Sequence, residues 1–215
     1  MSTLSNRSLI KGGLIVMISI CTAVGLAAPR QTNPVAESGI QSFAQRELKG
    51  GAAVLAFKQS QKADLTGGFW VAVLCRSDAA KTALLIGESH GQEIKRVWSS
   101  SNAKDLPGVL SFKNLNYAEF DGDQFFSLWG CHPHDCGGLD GVYTFDIFQV
   151  STKKMMIFDV RQCELPAIRP KVATKGLCIT DVKNPDSTPG KSVQHALTDA
   201  IKSAIPSASD VPIDF

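Results

Sequence analysis

Apolar and polar positions alternate differently along three parts of the chain. An apolar run from Gly12 to about Ala28 follows a basic start, Arg7 and Lys11, and no acidic residue precedes Glu37. Basic start, apolar middle and small residues at the end predict a secretory signal peptide over residues 1–27. Gly25 and Ala27 supply the small side chains of a cleavage site after Ala27. The run is short for a membrane span and lacks a stop-transfer flank. Ile20 stands where a lipobox before Cys21 wants a small residue. The expected location is the periplasm, with no stable membrane insertion after cleavage.

Residues 28–50 are polar and mixed, which predicts a linker and then a short helix ending at Gly50-Gly51. Ala53–Lys58, Phe69–Arg76 and Thr82–Ile86 are short apolar runs separated by Gly, Asp and Ser clusters, the pattern of strands. Gln92–Ser99 reads as a helix. In the second half, Phe125–Cys131, Gly141–Val150 and Met155–Gln162 are strand-length runs rich in aromatic and branched residues. The polar turn Ser151-Thr152-Lys153-Lys154 makes the last two a hairpin. The first two are joined through Cys131–Cys136 and the glycines Gly137 and Gly138. The result is a three-strand antiparallel meander with a cysteine loop at one turn.

After Cys178 a polar segment leads to a second helix. Thr188 is the expected N-cap, with Pro189 at the first helical position. Val193, Ala196, Leu197, Ala200 and Ile201 follow the i, i+3, i+4, i+7, i+8 spacing of one apolar face, and Pro206 ends it. The fold expected is α+β: an antiparallel sheet, a packed C-terminal helix and a disulfide-closed loop between two strands. Residues 28–99 form a strand-rich N-terminal extension, 100–205 the main domain and 206–215 a tail. Leu55-Ala56-Phe57-Lys58 resembles Leu110-Ser111-Phe112-Lys113, and a Phe lies six residues before both Cys75 and Cys131. A decayed repeat would explain both.

Composition narrows the classes. Hydrophobic residues make up 44% of the 215 and charged residues 20%, enough apolar surface for a core. Signal cleavage removes Arg7 and Lys11 from 22 Lys+Arg, which balances the 20 Asp+Glu. That argues against a nucleic-acid binder. Between Lys113 and Lys153 there is no Lys or Arg, while Glu119, Asp121, Asp123, Asp135, Asp140 and Asp146 fall there. An acidic surface around the cysteine loop is expected, and it would favour a basic partner.

Five cysteines survive cleavage: Cys75, Cys131, Cys136, Cys163 and Cys178. An oxidising compartment favours disulfides. The pairs expected are Cys131–Cys136 and Cys163–Cys178. Cys75, which closes the run Phe69-Trp70-Val71-Ala72-Val73-Leu74, is then a free, buried thiol.

The candidate chemistry lies in Cys131-His132-Pro133-His134-Asp135-Cys136. A disulfide across so short a ring favours the closed form by about 2 kcal/mol, and Pro133 fixes one more backbone angle. Rigidity of this kind lowers the ordering cost of entering a partner's cleft, and Gly137-Gly138 lets the chain turn back. A zinc site is the competing reading, but its ligands normally come from separated segments, and a disulfide would remove both thiolates. A redox dithiol is usually Cys-x-x-Cys at a helix start. A Cys–His nucleophile fails if the cysteines are bridged. A recognition loop leads, with a metal-binding or redox envelope protein as the alternative.

Asp121-Gly122-Asp123-Gln124-Phe125-Phe126-Ser127-Leu128-Trp129-Gly130, followed by Cys131-His132-Pro133-His134-Asp135-Cys136-Gly137, resembles the signature of the inhibitor of vertebrate lysozyme (Ivy) family. The likeness extends weakly over residues 100–165, through Leu106-Pro107 and the hairpin. The resemblance implies a non-enzymatic inhibitor of chicken-type lysozyme, with no cofactor, no metal and no catalytic residue. Its loop plugs the glycosidase cleft, with His134 meeting the catalytic carboxylates and His132, Pro133 and Asp135 beside it. A retaining glycosidase holds two carboxyl groups about 5 Å apart, one of them protonated. A neutral imidazole offers one donor and one acceptor, so it suits both. His132 departs from the Lys usual before the proline, and the 60 or so mature residues before the matching region lie outside the pattern. Lysozyme is the protein partner implied, and a homodimer stays open. His90, His195, Trp70, Trp98 and Trp129 read as surface or core residues, with Trp129 near enough to the loop to touch a partner.

Overall fold

In the computed structural model the described residues are 35–48, 52–77, 82–91, 93–100, 115–131, 138–165, 174–183 and 189–215. The elements are α1 (Glu37–Leu48), β1 (Ala52–Gln59), β2 (Phe69–Ser77), β3 (Thr82–His90), β4 (Glu93–Ser99), β5 (Leu115–Phe120) and β6 (Asp123–Cys131). They continue with β7 (Val142–Gln149), β8 (Lys154–Leu165), β9 (Thr174–Lys183), α2 (Lys191–Ala204), a 3-10 turn at Pro206–Ala208 and β10 (Ile213–Asp214). One sheet has the order β1-β2-β3-β4 and the other β10-β9-β8-β7-β6-β5. Every pairing is antiparallel except the short parallel β10–β9 contact. The α+β expectation holds.

Alternation along the strands explains how the layers stack. In β2, Trp70, Ala72 and Leu74 point one way, and Val71, Val73 and Cys75 the other. The first set joins Leu84 and Ile86 against Leu115, Phe126, Leu128 and Phe148 of the second sheet. The second set packs on Ile40, Phe43 and Ala44, the apolar stripe of α1. On the outer face of the second sheet, Phe125, Tyr143, Phe145 and Ile147 pack on Val193, Ala196, Leu197, Ala200 and Ile201 of α2. The order of layers is helix, sheet, sheet, helix. A strand buried on both faces must be apolar at nearly every position, and that is why Phe69–Cys75 reads as a continuous apolar run. The described residues of 52–99, whose placement the sequence left open, form the first sheet and one wall of the central core.

Two sequence expectations need correcting. Gln92–Ser99 is not a helix: Glu93–Ser99 is the edge strand β4. Ile94, Val97 and Trp98 mimic helical spacing because the register slips opposite Ile86/Gly87. Ile94 faces α1, while past the bulge Trp98 lies opposite Ile86 and meets the inter-sheet core. The second helix starts at Lys191 with Gly190 as its N-cap, not with Thr188 and Pro189. Thr188 lies outside the described residues, but all five residues expected on its apolar face are buried.

Cys163 and Cys178 are bonded between β8 and β9, with 5.8 Å between their Cα atoms. Closing that loop restricts the unfolded chain by about 3 kcal/mol. The two meanders also match in plan. Phe69 and Cys75 lie on the second strand of the first, Phe125 and Cys131 on the second strand of the second. In both, the cysteine faces the covering helix.

Candidate functional site: a loop end and a cleft end

Strand β6 runs between two places where chemistry could occur. At its C-terminal end, Cys131 is buried and directly opposite Tyr143. It is disulfide-bonded, to a residue outside the described set. His132, Pro133, His134, Asp135 and Cys136 lie outside the described residues too; the structure describes the stems on which they stand. The rings of Trp129, Tyr143 and Phe145 are 6.3–6.5 Å apart, centre to centre, beneath those stems. The Tyr143 hydroxyl donates a 2.8 Å hydrogen bond to the Gly138 carbonyl. One stem is thus fixed by the sheet and the disulfide, the other by a buried tyrosine. Of the three tryptophans Trp70 is fully buried, and Trp98 and Trp129 are half-buried against core clusters.

The acidic residues do not surround this end. Glu119, Asp121 and Asp123 belong to the β5–β6 turn, at the far end of β6, about 26 Å away at the rise of a strand. Asp146 is buried and adds no surface charge. Each turn acid also has work of its own. Glu119 accepts hydrogen bonds from Tyr117 at 2.6 Å and Lys62 at 2.9 Å, which hold its carboxyl below the usual range. Asp121 lies 3.2 Å from His195 of α2. Asp123 accepts from Gln149 and Ser151. Among the described acids of this stretch, only exposed Asp140 lies beside the loop stems. The clustering in sequence came from a β-hairpin: Asp121 (φ 53°) and Gly122 (φ 80°) both take the positive φ of a tight two-residue turn.

The far end holds a feature the sequence did not reveal, a cleft of about 500 Å³ at the mouth of the inter-sheet core. The loop before β2 forms one wall, through Lys62, Asp64 and Leu65. The β5–β6 and β7–β8 turns form the other, through Asp123, Gln124 and Lys153. Two ion pairs cross it, Lys62–Glu119 at 2.9 Å and Lys153–Glu88 at 3.3 Å. The Lys153 ammonium also sits 5.3 Å over the Trp70 ring. To reach there Lys153 adopts a left-handed backbone, φ 56°, unfavourable for a side-chain-bearing residue by roughly 1 kcal/mol. Glu88 pairs with His90 as well, at 3.1 Å. The usable sequence signal was the turn cluster Asp64-Leu65-Thr66-Gly67-Gly68; which turns face it is a tertiary matter.

Cys75 is the free cysteine among the described residues, wholly buried beneath α1, and burial pushes its thiol up to about 12. Comparison of the chain with protein-family models, characterised proteins and solved structures returns no match.

Proposed function

We propose that the chain is an exported, non-enzymatic inhibitor of chicken-type lysozyme, acting from the periplasm through the loop that begins at Cys131. The observation that carries this reading is the motif Cys131-His132-Pro133-His134-Asp135-Cys136, which stands at a β-hairpin end with both stems anchored. What supports a plug is that the described stems, Cys131 in the sheet and Gly138 bonded by Tyr143, fix where the segment leaves and rejoins the fold, and fixed ends lower the ordering cost of entering a cleft. His134 meets the two glycosidase carboxyl groups, donating to one and accepting from the other. The alternative, a metal-binding or redox role, loses ground because a bridged Cys131 offers no thiolate to a metal or a substrate.

The test is inhibition of hen lysozyme by the purified protein. His134→Ala should raise the inhibition constant by roughly thirtyfold or more, the scale of an interface hot spot. His195→Ala should leave it unchanged. Undiminished inhibition by the His134 variant would remove the mechanism, and no inhibition by the unaltered protein would remove the reading.

A further inference from the structure

The cleft at the inter-sheet mouth already holds a cation, and the chain itself supplies it. Glu88 has a side chain only 12% exposed, and its Oε2 lies 3.3 Å from the Lys153 ammonium. Its Oε1 lies 3.1 Å from His90 Nε2 and accepts from the Thr66 hydroxyl at 3.3 Å, so the carboxylate is held in place. The same ammonium stands 5.3 Å from the centre of the Trp70 ring. Asp64 accepts a 2.7 Å hydrogen bond from the indole nitrogen of that ring. A carboxylate on the indole N–H leaves the ring more electron-rich, which strengthens its attraction for a cation over the face. An aromatic face, a nearly buried carboxylate beside it and a second acid polarising the ring are the parts of an ammonium site.

Lys153 is a loosely held occupant of that site. Its side chain is 53% exposed, and its backbone takes the left-handed conformation, φ 56°, in the β7–β8 turn. An exposed ion pair on a long side chain contributes little, so the turn can give the ammonium up to water at small cost. The other lysine of the cleft, Lys62, is held 2.9 Å from Glu119 and leaves Glu88 to Lys153. The Trp70 face that Lys153 covers opens on the cleft of about 500 Å³, where Ala63, Leu65 and Val150 offer contact to a methylene chain.

We propose that the cleft binds the ammonium head of a small primary amine, with Lys153 as a tethered ligand that the incoming amine displaces. The head sits between Glu88 and the Trp70 face, and the alkyl chain lies along Leu65 and Val150. A primary amine fits better than a quaternary ammonium, because the Glu88 carboxylate takes an N–H donor. The site lies at the opposite end of β6 from the cysteine loop, and the inference is independent of the lysozyme reading.

The experiment is titration of the purified protein with n-butylammonium chloride, followed by NMR at the indole N–H signals of its three tryptophans. The Trp70 signal, identified by its loss in Trp70→Phe, should move and saturate with a dissociation constant on the order of 10 mM. Sodium chloride at the same concentration should leave it in place, which separates binding from screening. Lys153→Asn removes the tethered ammonium and keeps a residue that tolerates the left-handed turn. That variant should bind butylammonium roughly tenfold more tightly, because no internal ligand competes. Glu88→Gln should abolish the shift, and tetramethylammonium, with no N–H to donate, should bind roughly tenfold more weakly. A Trp70 signal unmoved at about 50 mM butylammonium overturns the proposal. So does a Lys153→Asn variant that binds no more tightly, or equal binding by Glu88→Gln or of tetramethylammonium.

Discussion

The indole nitrogen of Trp70 donates a 2.7 Å hydrogen bond to the carboxylate of Asp64, tying the largest buried side chain of the inter-sheet core to the loop above it. Trp70 is fully buried and Asp64 is at the surface. The bond therefore couples an ionisable group to the seat of a large aromatic ring, 6.0 Å from Phe148 of the opposite sheet.

That coupling predicts an acid limb in stability. Burial alone would raise the Asp64 pKa, but hydrogen bonds from Thr66, Trp70 and Gly68 outweigh it and hold the carboxyl below its usual value. A group whose pKa is depressed by folding contributes stability in full above its unfolded value and loses it as pH falls through the folded one. The thermal midpoint should hold steady above about pH 5 and fall below pH 4. Asp64→Asn should lower it at neutral pH and flatten the fall. A variant with the same acid limb as the unaltered protein would refute the coupling.

Gly87 leaves the space that Ile94 of β4 and Phe43 of α1 occupy on the helix-covered face of the first sheet. A Cβ built there would stand 2.3 Å from Ile94 Cγ2 and 3.1 Å from Phe43 Cζ. The Ile94 methyl is on a β-branched side chain and cannot swing aside freely. Gly87→Ala should therefore destabilise the protein by roughly 1–3 kcal/mol, despite the usual gain from replacing a strand glycine. Gly190→Ser is the control, since a Cβ there meets nothing within 4 Å and a hydroxyl suits an N-cap. Urea midpoints of both variants check this, and a neutral Gly87→Ala would mean that Ile94 is not packed against Gly87 as described.

Thiol counting tests the cysteine assignment. In native protein Cys75 should not react with a thiol reagent near neutral pH, being wholly buried with its pKa raised to about 12. Denatured without reduction, the signal-cleaved chain should show one thiol, and after reduction five. Three thiols before reduction would break one of the two disulfides, either Cys163–Cys178 or the one at Cys131.

The sequence by itself determined the elements whose pattern is local. The apolar face Val193–Ile201 follows one helical stripe, and the hairpin across Ser151–Lys153 follows strand alternation broken by polar residues. The cysteine motif is read from its spacing alone; the structure describes Cys131 as disulfide-bonded, and residues 132–137 lie outside the described residues. The pairing of Cys163 with Cys178 was anticipated, but geometry established it. Tertiary structure decided what depends on residues far apart in the chain. A register slip opposite Ile86/Gly87, with Val97 as the extra residue of β4, made that strand resemble a helix, and a bulge shows itself only once the strand is paired. The acidic residues clustered in sequence because a hairpin turn needs Asp121-Gly122, yet β6 carries that turn a full strand length from the loop. The cleft beside Leu65 exists only because two sheets stack face to face, with walls from residues 62–66 and from the turns at 119–124 and 150–153, whose meeting no local pattern encodes.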